Sequence, residues 1–374
     1  MTDWNKIRNY FPAVGKVTYL DTAAGGPIST LAHREAALFY DQILNRGDIH
    51  WKDWLLKVEV VRGKIADLIN ADREGVAFLQ NTSHGMNLIA QMLKGSGGVL
   101  AMDDDFPTAT VPFLKQGFHI DFVRSNDNCV IHLEDIEARI TDTTKILVTS
   151  TVQYSTGFRQ DLAKLAGLCK EKGLIFVVDA SQSICSFPVD VKTEQIDFLV
   201  FSGNKWGISG YGIGVLYIEK DFINASNFPI ASWMSVKNPS AMDNRSMDFK
   251  ETAAMLEIGG PHFPNIFALG GTLDLINSIG IENIQNRIIE LTNYLHEQLE
   301  KNGIRIVSAT GAEFRSGITI IDLKNKEEVA ALLGKKNILL SVRNRGLRVS
   351  LHFYNNFEDI DRFVRVLLAT LRES

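Results

Sequence analysis

The chain has 374 residues, 45% hydrophobic and 22% charged, with a formal net charge of −5 at pH 7. That is enough apolar material to bury a sizeable core in one large domain plus a smaller one, or in two of moderate size. The mild acidic balance and the lack of any long basic run exclude the electrostatic footprint of a nucleic-acid binder.

The N-terminal MTDWNKIRNYFPAVG mixes charges and has no apolar core of signal length, and no uncharged run approaches the roughly 18–20 residues that span a bilayer. Cys129, Cys169 and Cys185 form no CxxC pair, so neither a disulfide framework nor a zinc site is expected. A cytoplasmic protein without a membrane partner or a metal is the expectation.

In chain order, Gly75-Val76-Ala77-Phe78-Leu79 reads as a strand, and Gly85 to Leu93 as a helix with Met86, Ile89, Ala90 and Leu93 on one face. Strand-like runs follow at 98–102, 120–123 and 145–149, then a helix over 160–172 that stops at Gly173. The runs 174–179, 198–202 and 214–218 are nearly unbroken apolar segments, the pattern of strands covered on both faces. Strands alternating with helices predict a mostly parallel α/β sheet. From 224 to 264 the chain is polar and irregular, and a long helical segment over 266–299, interrupted near Gly280, comes next. The remainder reads as α+β, with strands at 304–308 and 317–322, a helix over 326–334, strands near 338–343 and 347–351, and a last helix from about Glu358. The expected division is a large domain over 15–250 and a small C-terminal domain over 251–374, with residues 1–14 packed on the latter.

In an open parallel sheet, ligands bind beyond the carboxyl ends of the strands. Three candidate groups fall there. Thr82-Ser83-His84 place two hydroxyls and free N–H groups at a helix start, a phosphate site in combination and an ordinary cap alone. Asp179 ends the run LIFVVD, with Gln182 three residues on, and a carboxylate there can pair with a protonated ring nitrogen. Ser202-Gly203-Asn204-Lys205-Trp206 lie between a strand and the Gly-rich GISGYGIGVLYI. The glycines let the backbone pass close to a ligand, and a lysine held there can lose its water and become nucleophilic. A lone lysine in such a loop is usually solvated; the three groups together supply a phosphate cradle, a pyridinium partner and a Schiff-base amine on one sheet edge.

Through these residues the sequence resembles the class V aminotransferase family of pyridoxal-phosphate (PLP) enzymes of fold type I, which includes cysteine desulfurases, kynureninase and isopenicillin-N-epimerase-like proteins. YLDTAAGGP is close to the family's YLDNAATTP, NTSHGMN to GTTEGIN, VDASQ to VDGAQ, FSGNKW to FSGHKW, EIGGPHFPN to EAGTPN, and LRVSLHFYN to RASLAFYN. The matches run in order from residue 18 to 355. The resemblance implies PLP as cofactor and the fold type I architecture, a mostly parallel sheet of the seven-stranded type in the large domain with a smaller α+β C-terminal domain.

It also implies roles. Lys205 would carry PLP as a Schiff base and, once freed, act as the base at the α-carbon; Asp179 would keep the ring nitrogen protonated; Gln182 would hydrogen-bond the phenolic oxygen. Thr82, Ser83 and Ser202 would bind the phosphate beside Asn204, which stands where relatives usually have His. Gly260 would reach the phosphate of a partner subunit, since members are homodimers with shared sites. Phe106, in DDDFPTA, falls where desulfurases carry the ring-stacking His, and agrees with the Phe-Pro-Thr of kynureninase; it can stack but cannot transfer a proton. Arg348 aligns with the arginine that takes the substrate carboxylate, a task suited to its planar fork, with Arg343 or Arg345 as alternatives. Gln153 is preferred over its neighbour Tyr154 as the residue that faces the cofactor from the 145–149 strand end. His84 replaces a common Glu and is given no catalytic role.

Desulfurases place a nucleophilic Cys just before the RASLAFYN segment, and the corresponding VRNRGLRVS is short and has none. Persulfide chemistry needs a thiolate within reach of the substrate sulfur, so a standard desulfurase is not expected. The expected reaction is of the aminotransferase type on a small amino acid bearing an α-carboxylate. A C–S lyase without the loop cysteine and an epimerase are the alternatives, since one fold and one cofactor serve all three. A non-enzymatic binding protein built on this fold would lose Lys205 or Asp179, and both are present.

Overall fold

The near-continuous apolar runs pair, as their covered faces require, into one seven-stranded sheet. The computed structural model describes residues 2–224 and 227–373. The sheet consists of β2 (Val76–Leu79), β3 (Gly98–Met102), β4 (Ile120–Val123), β5 (Thr144–Ser150), β6 (Ile175–Asp179), β7 (Phe198–Ser202) and β8 (Gly214–Ile218), and follows β1 (Thr18–Tyr19) in the chain. Their spatial order is β2-β8-β7-β6-β5-β3-β4. β8 is antiparallel to both neighbours, while the remaining pairs are parallel. Every residue of β2, β7 and β8 is buried, as the unbroken hydrophobic runs require. This is the expected mostly parallel sheet of fold type I.

The helices are α1 (Trp4–Arg8), α2 (Thr30–Arg46), α3 (Trp51–Ile69), α4 (Thr82–Met92), α5 (Val111–Gln116), α6 (Leu133–Glu137), α7 (Leu162–Lys172), α8 (Phe263–Ile279), α9 (Ile281–Lys301), α10 (Lys326–Lys335) and α11 (Phe357–Glu373). Alternate strand residues face two different cores, because side chains alternate across a pleat. Phe176 and Val178 join Val61, Ile65, Leu165 and Phe267 from α3, α7 and α8, while Val177 joins Met86, Ile89 and Phe113 from α4 and α5. A third core, with Leu291, Val329, Val349 and Phe363, lies under a sheet of β11 (Ser341–Arg343), β12 (Gly346–Ser350) and β9 (Ile318–Ile321). β1 pairs in parallel with β10 (Ile338–Leu339), and Arg8 bonds Asp359 at 2.8 and 3.0 Å.

Three local departures have physical causes. The helix expected from Gly85 begins at Thr82, because the Asn81 side chain caps it by accepting from His84 N–H at 2.9 Å. The strand expected at 304–308 is reduced to one bridge between Ile306 and Ile321, since Ser308 Oγ takes the Ile320 N–H that would extend the ladder. The long helical segment is broken at Gly280, whose φ of 86° lies in the left-handed region.

The free edge of β2 is closed by an ion pair. Buried Arg62 donates to Val76 O at 2.8 Å and to Glu257 at 2.6 and 3.1 Å, and Glu257 Oε1 also accepts from Phe78 N–H at 2.7 Å. An uncovered edge invites pairing with other chains, and this lock covers it. Glu257→Ala leaves the guanidinium and an edge amide without this partner and is expected to cost about 3–5 kcal/mol in urea unfolding. A loss below about 1 kcal/mol would show the lock to be dispensable.

Candidate active site

The carboxyl ends of β2, β3, β5, β6 and β7 lie on one sheet edge, together with the start of antiparallel β8. Leu79 and Ser202 both pair with Gly214 there, which places the start of α4 and the end of β7 on either side of one residue. A Cβ on Gly214 would lie 2.7 Å from the Asn81 backbone, so this close approach requires glycine. In the first turn of α4, the N–H groups of Thr82 and Ser83 have no intrahelical acceptor. Thr82 Oγ1 shares a hydrogen bond with Ser181 Oγ at 2.8 Å, and Ser202 Oγ donates to Asn204 Oδ1 at 2.5 Å. Ser83 is exposed and bonds Thr108 Oγ1 at 2.9 Å.

Lys205 follows in the turn after β7, and the 21–26 segment lies over it. Gly26 N–H donates to Asn204 O at 2.8 Å, and a Cβ on Gly26 would come within 2.4 Å of Lys205 O. Burial lowers the Lys205 pKa from its usual range; Asp179 opposes this, and the cations Arg348 and Arg343 add to it. Asp179, buried at the end of β6, accepts from Ser181 N–H through Oδ1 at 2.8 Å. Burial raises the Asp179 pKa, and Ser181 and Lys205 draw it back down. The Phe106 ring centroid is 5.2 Å from Lys205 Nζ and also 5.2 Å from the Tyr154 ring centroid, with the two rings nearly perpendicular.

Arg348 reaches the same pocket from β12. It is 1% exposed yet loosely held, with Nη1 donating to Tyr154 O at 3.2 Å, Nη2 3.6 Å from Asp21 Oδ1, and Nε unpartnered. Burial and then the neighbouring Arg343 lower its pKa to about 10. Gln153 is fully buried and neither of its amide atoms has a partner, while half-buried Tyr154 contributes its carbonyl and its ring. Gln182 is more committed: its Oε1 accepts from Trp206 Nε1 at 2.7 Å and its Nε2 donates to Ala23 O at 3.1 Å. One amide hydrogen therefore remains for a ligand.

Other residues are placed elsewhere. Gly260 is exposed and lines a separate hollow with His84, Lys250 and His262. Arg345 bonds Asp104 at 2.9 and 3.0 Å and Cys129 Sγ at 3.2 Å, away from Lys205, whereas Arg343 acts electrostatically on both Lys205 and Arg348. Cys129 thus lies beside the 343–346 hairpin although it is distant in sequence; it is buried and its pKa is raised, first by that burial. Two acids that sequence reasoning missed also belong to the site. Asp21, in DTAAGG, accepts from Ser341 Oγ beside Arg348. Asp105, in DDDF, is buried next to Asp179 and Gln153.

This donor set fits PLP. The Gln153 amide, Asp105 Oδ1 and Arg348 Nε are buried polar atoms without partners, and such atoms call for a bound group. The α4 start with Thr82 and Ser202 suits a phosphate, Asp179 a ring cation, and Lys205 an aldehyde. Among the described residues, no three His, Cys, Asp or Glu side chains cluster where they could hold a metal ion, and no helix is long and apolar enough to cross a membrane.

A family model described as "Aminotransferase class-V" matches residues 18–363. The chain is 28% identical over 369 residues to an uncharacterized aminotransferase, YcbU, of Bacillus subtilis (strain 168), covering 97% of each. It is 28% identical over 400 residues to a probable cysteine desulfurase of Pyrococcus abyssi, covering 98% of each. In fold it is similar to the apo cysteine desulfurase from Thermococcus onnurineus NA1, with a TM-score of 0.89 at 24% identity, over 100% of this chain and 99% of that one.

Proposed function

Because this chain belongs to the class-V aminotransferase family, and is a PLP-dependent enzyme of fold type I, we propose that it catalyses an aminotransferase-type reaction on a small amino acid carrying an α-carboxylate. The observation that carries this reading is a desolvated Lys205 under the electrostatic influence of both the Asp179 carboxylate and the under-bonded Arg348 guanidinium.

When bound, PLP supplies an electron sink for the electron pair left at the substrate's α-carbon. Lys205 would hold the cofactor, and burial lowers its pKa toward the free amine that would take the α-proton and return it elsewhere. Asp179 would hold a proton at the ring nitrogen, and a cation there would favour the charged carboxylate that burial opposes. Thr82, Ser83 and Ser202, with Asn204 behind Ser202, hold the phosphate. Gln153 and the remaining Gln182 N–H would bond and orient the ring, and Phe106 would pack against it. Arg348 receives the substrate carboxylate, which satisfies the open Nε side of its fork.

Persulfide transfer is disfavoured, because no cysteine lies on the 343–346 hairpin and the nearby Cys129 is buried. A homodimer with shared sites is part of the same proposal. Leu44, Leu56 and Val60 on α2 and α3 are 81%, 68% and 57% exposed, apolar side chains that such an interface would cover.

An amino-acid panel given to the loaded enzyme separates the reactions. Transamination produces a keto acid in an amount equal to the enzyme, with turnover only when a second keto acid is added. Release of sulfide, pyruvate or ammonia without an acceptor would replace this reading by a lyase, and loss of optical rotation alone by an epimerase.

A further inference from the structure

Asp105 is a carboxyl group for which the proposed reaction has no task, yet its surroundings are those of a working group. It stands between the end of β3 and Phe106, buried, with Oδ2 accepting from Ser150 N–H at 3.1 Å. Its Oδ1 has no partner, and neither amide atom of the neighbouring Gln153 has one. Buried polar atoms left in that state are costly, so they are expected to serve one another or a bound group. Ser150 and Gln153 are the hydrogen-bonding groups facing Asp105, and Asp179, in register with Ser150 on the next strand, is the charged group acting on it. Two carboxylates so close and so dry do not both ionise easily. Lys205, when charged, favours the Asp179 carboxylate, whereas none of the main influences on Asp105 among the described residues is a cation.

Resting on the reading of this pocket as a PLP site, we propose that Asp105 is a positioning residue, held as the neutral acid, which donates its proton to the Gln153 carbonyl and so turns the Gln153 N–H groups toward the cofactor. A protonated carboxyl can donate, and Oε1 is then the end of the amide that faces it. An ionised Asp105 can only accept; it would draw the Gln153 N–H groups to itself and present a carbonyl to the electron-rich edge of the ring. One proton thereby sets the direction of the amide. Burial, with the charge of Asp179 adding to it, pushes the Asp105 carboxyl up to about 7, although Ser150, and a Gln153 amide turned to donate to the ionised form, draw it back down. The arrangement therefore holds below neutrality and reverses as the pH rises through that range.

The test uses the loaded enzyme as wild type, Asp105→Asn, Gln153→Leu and the double variant, followed by visible absorbance across neutral pH. Asparagine keeps the acceptor for Ser150 N–H and donates permanently to Gln153. Asp105→Asn is therefore expected to retain the cofactor and lose the spectral titration near pH 7 that the wild type shows, and to change nothing further once Gln153 is Leu. Infrared spectra of the wild type should show a buried carboxylic-acid carbonyl band that fades through the same pH range. A role confined to holding the Ser150 amide would move thermal stability and leave the titration in place. Superimposable titrations of wild type and Asp105→Asn, or an acid band indifferent to pH, would overturn the proposal; a wild type that takes up no PLP would instead overturn the reading of the site.

Discussion

Lys205→Ala is expected to abolish covalent retention of PLP and to lower turnover by on the order of 10⁴-fold, the joint effect of losing the attachment point and the base. Mass spectrometry after borohydride reduction reads the first effect directly: the wild type gains the mass of one cofactor at Lys205, and the variant gains none. The variant is not expected to fail by unfolding. The Lys205 pKa is lowered, first by burial, so the folded protein binds its proton less tightly than the unfolded chain does. A group with a depressed folded-state pKa contributes its stability at high pH and loses it as the pH falls through that pKa. The burial that lowers this pKa penalises the charged amine, so the cofactor-free variant should unfold at no lower temperature than the cofactor-free wild type. A reduced adduct that persists in Lys205→Ala would place the attachment on another residue and remove the basis of the proposed reaction.

Much of this fold was legible because its signals are local. The runs at 198–202 and 214–218 are strands to the residue, since strands covered on both faces carry no polar interruption. The pair α2 and α3 was not, because Leu44, Leu56 and Val60 stay exposed and blur the helical period that burial would have sharpened. The strand expected at 304–308 failed for a different reason: its pattern is right, but the Ser308 hydroxyl displaces a backbone partner, a tertiary event without a sequence period.

The candidate site divides in the same way. Asp179 and Lys205 could be found because each ends or follows a hydrophobic run, which fixes it to one sheet edge. Asp105 could not be told from its neighbours: Asp103 meets Arg124 at 3.2 Å on the surface, Asp104 meets Arg345, and only the third acid of DDD turns inward. Asp21 lay inside a quoted motif, but its use became visible only when β12 brought Arg348 beside it.

Arg348 carries the other large expected effect. Its side chain is almost wholly buried, yet its contacts are a carbonyl at 3.2 Å, a hydroxyl at 3.4 Å and a carboxylate at 3.6 Å, with Nε unpartnered. A structural arginine at this depth would be bonded on all sides, whereas a receiving one keeps part of its fork open. Its pKa, lowered to about 10 by burial and by Arg343, still leaves it charged at neutral pH. An incoming carboxylate would favour that charge further. Arg348→Met is expected to reduce kcat/KM by about 10²–10³-fold, equivalent to roughly 3–4 kcal/mol and within the range for removing one partner of a buried charge pair. Arg348→Lys should recover little of this, because an ammonium cannot meet both carboxylate oxygens in one plane. PLP uptake by both variants should be unchanged, as the phosphate and ring contacts lie on other elements. The decisive comparison uses a substrate analogue in which a hydrogen replaces the α-carboxylate. Wild type and Arg348→Met should process that amine at similar, low rates, because the interaction that separates them is gone. A large difference on the amine would show that Arg348 acts by holding Tyr154 and Asp21 in place rather than by receiving the substrate.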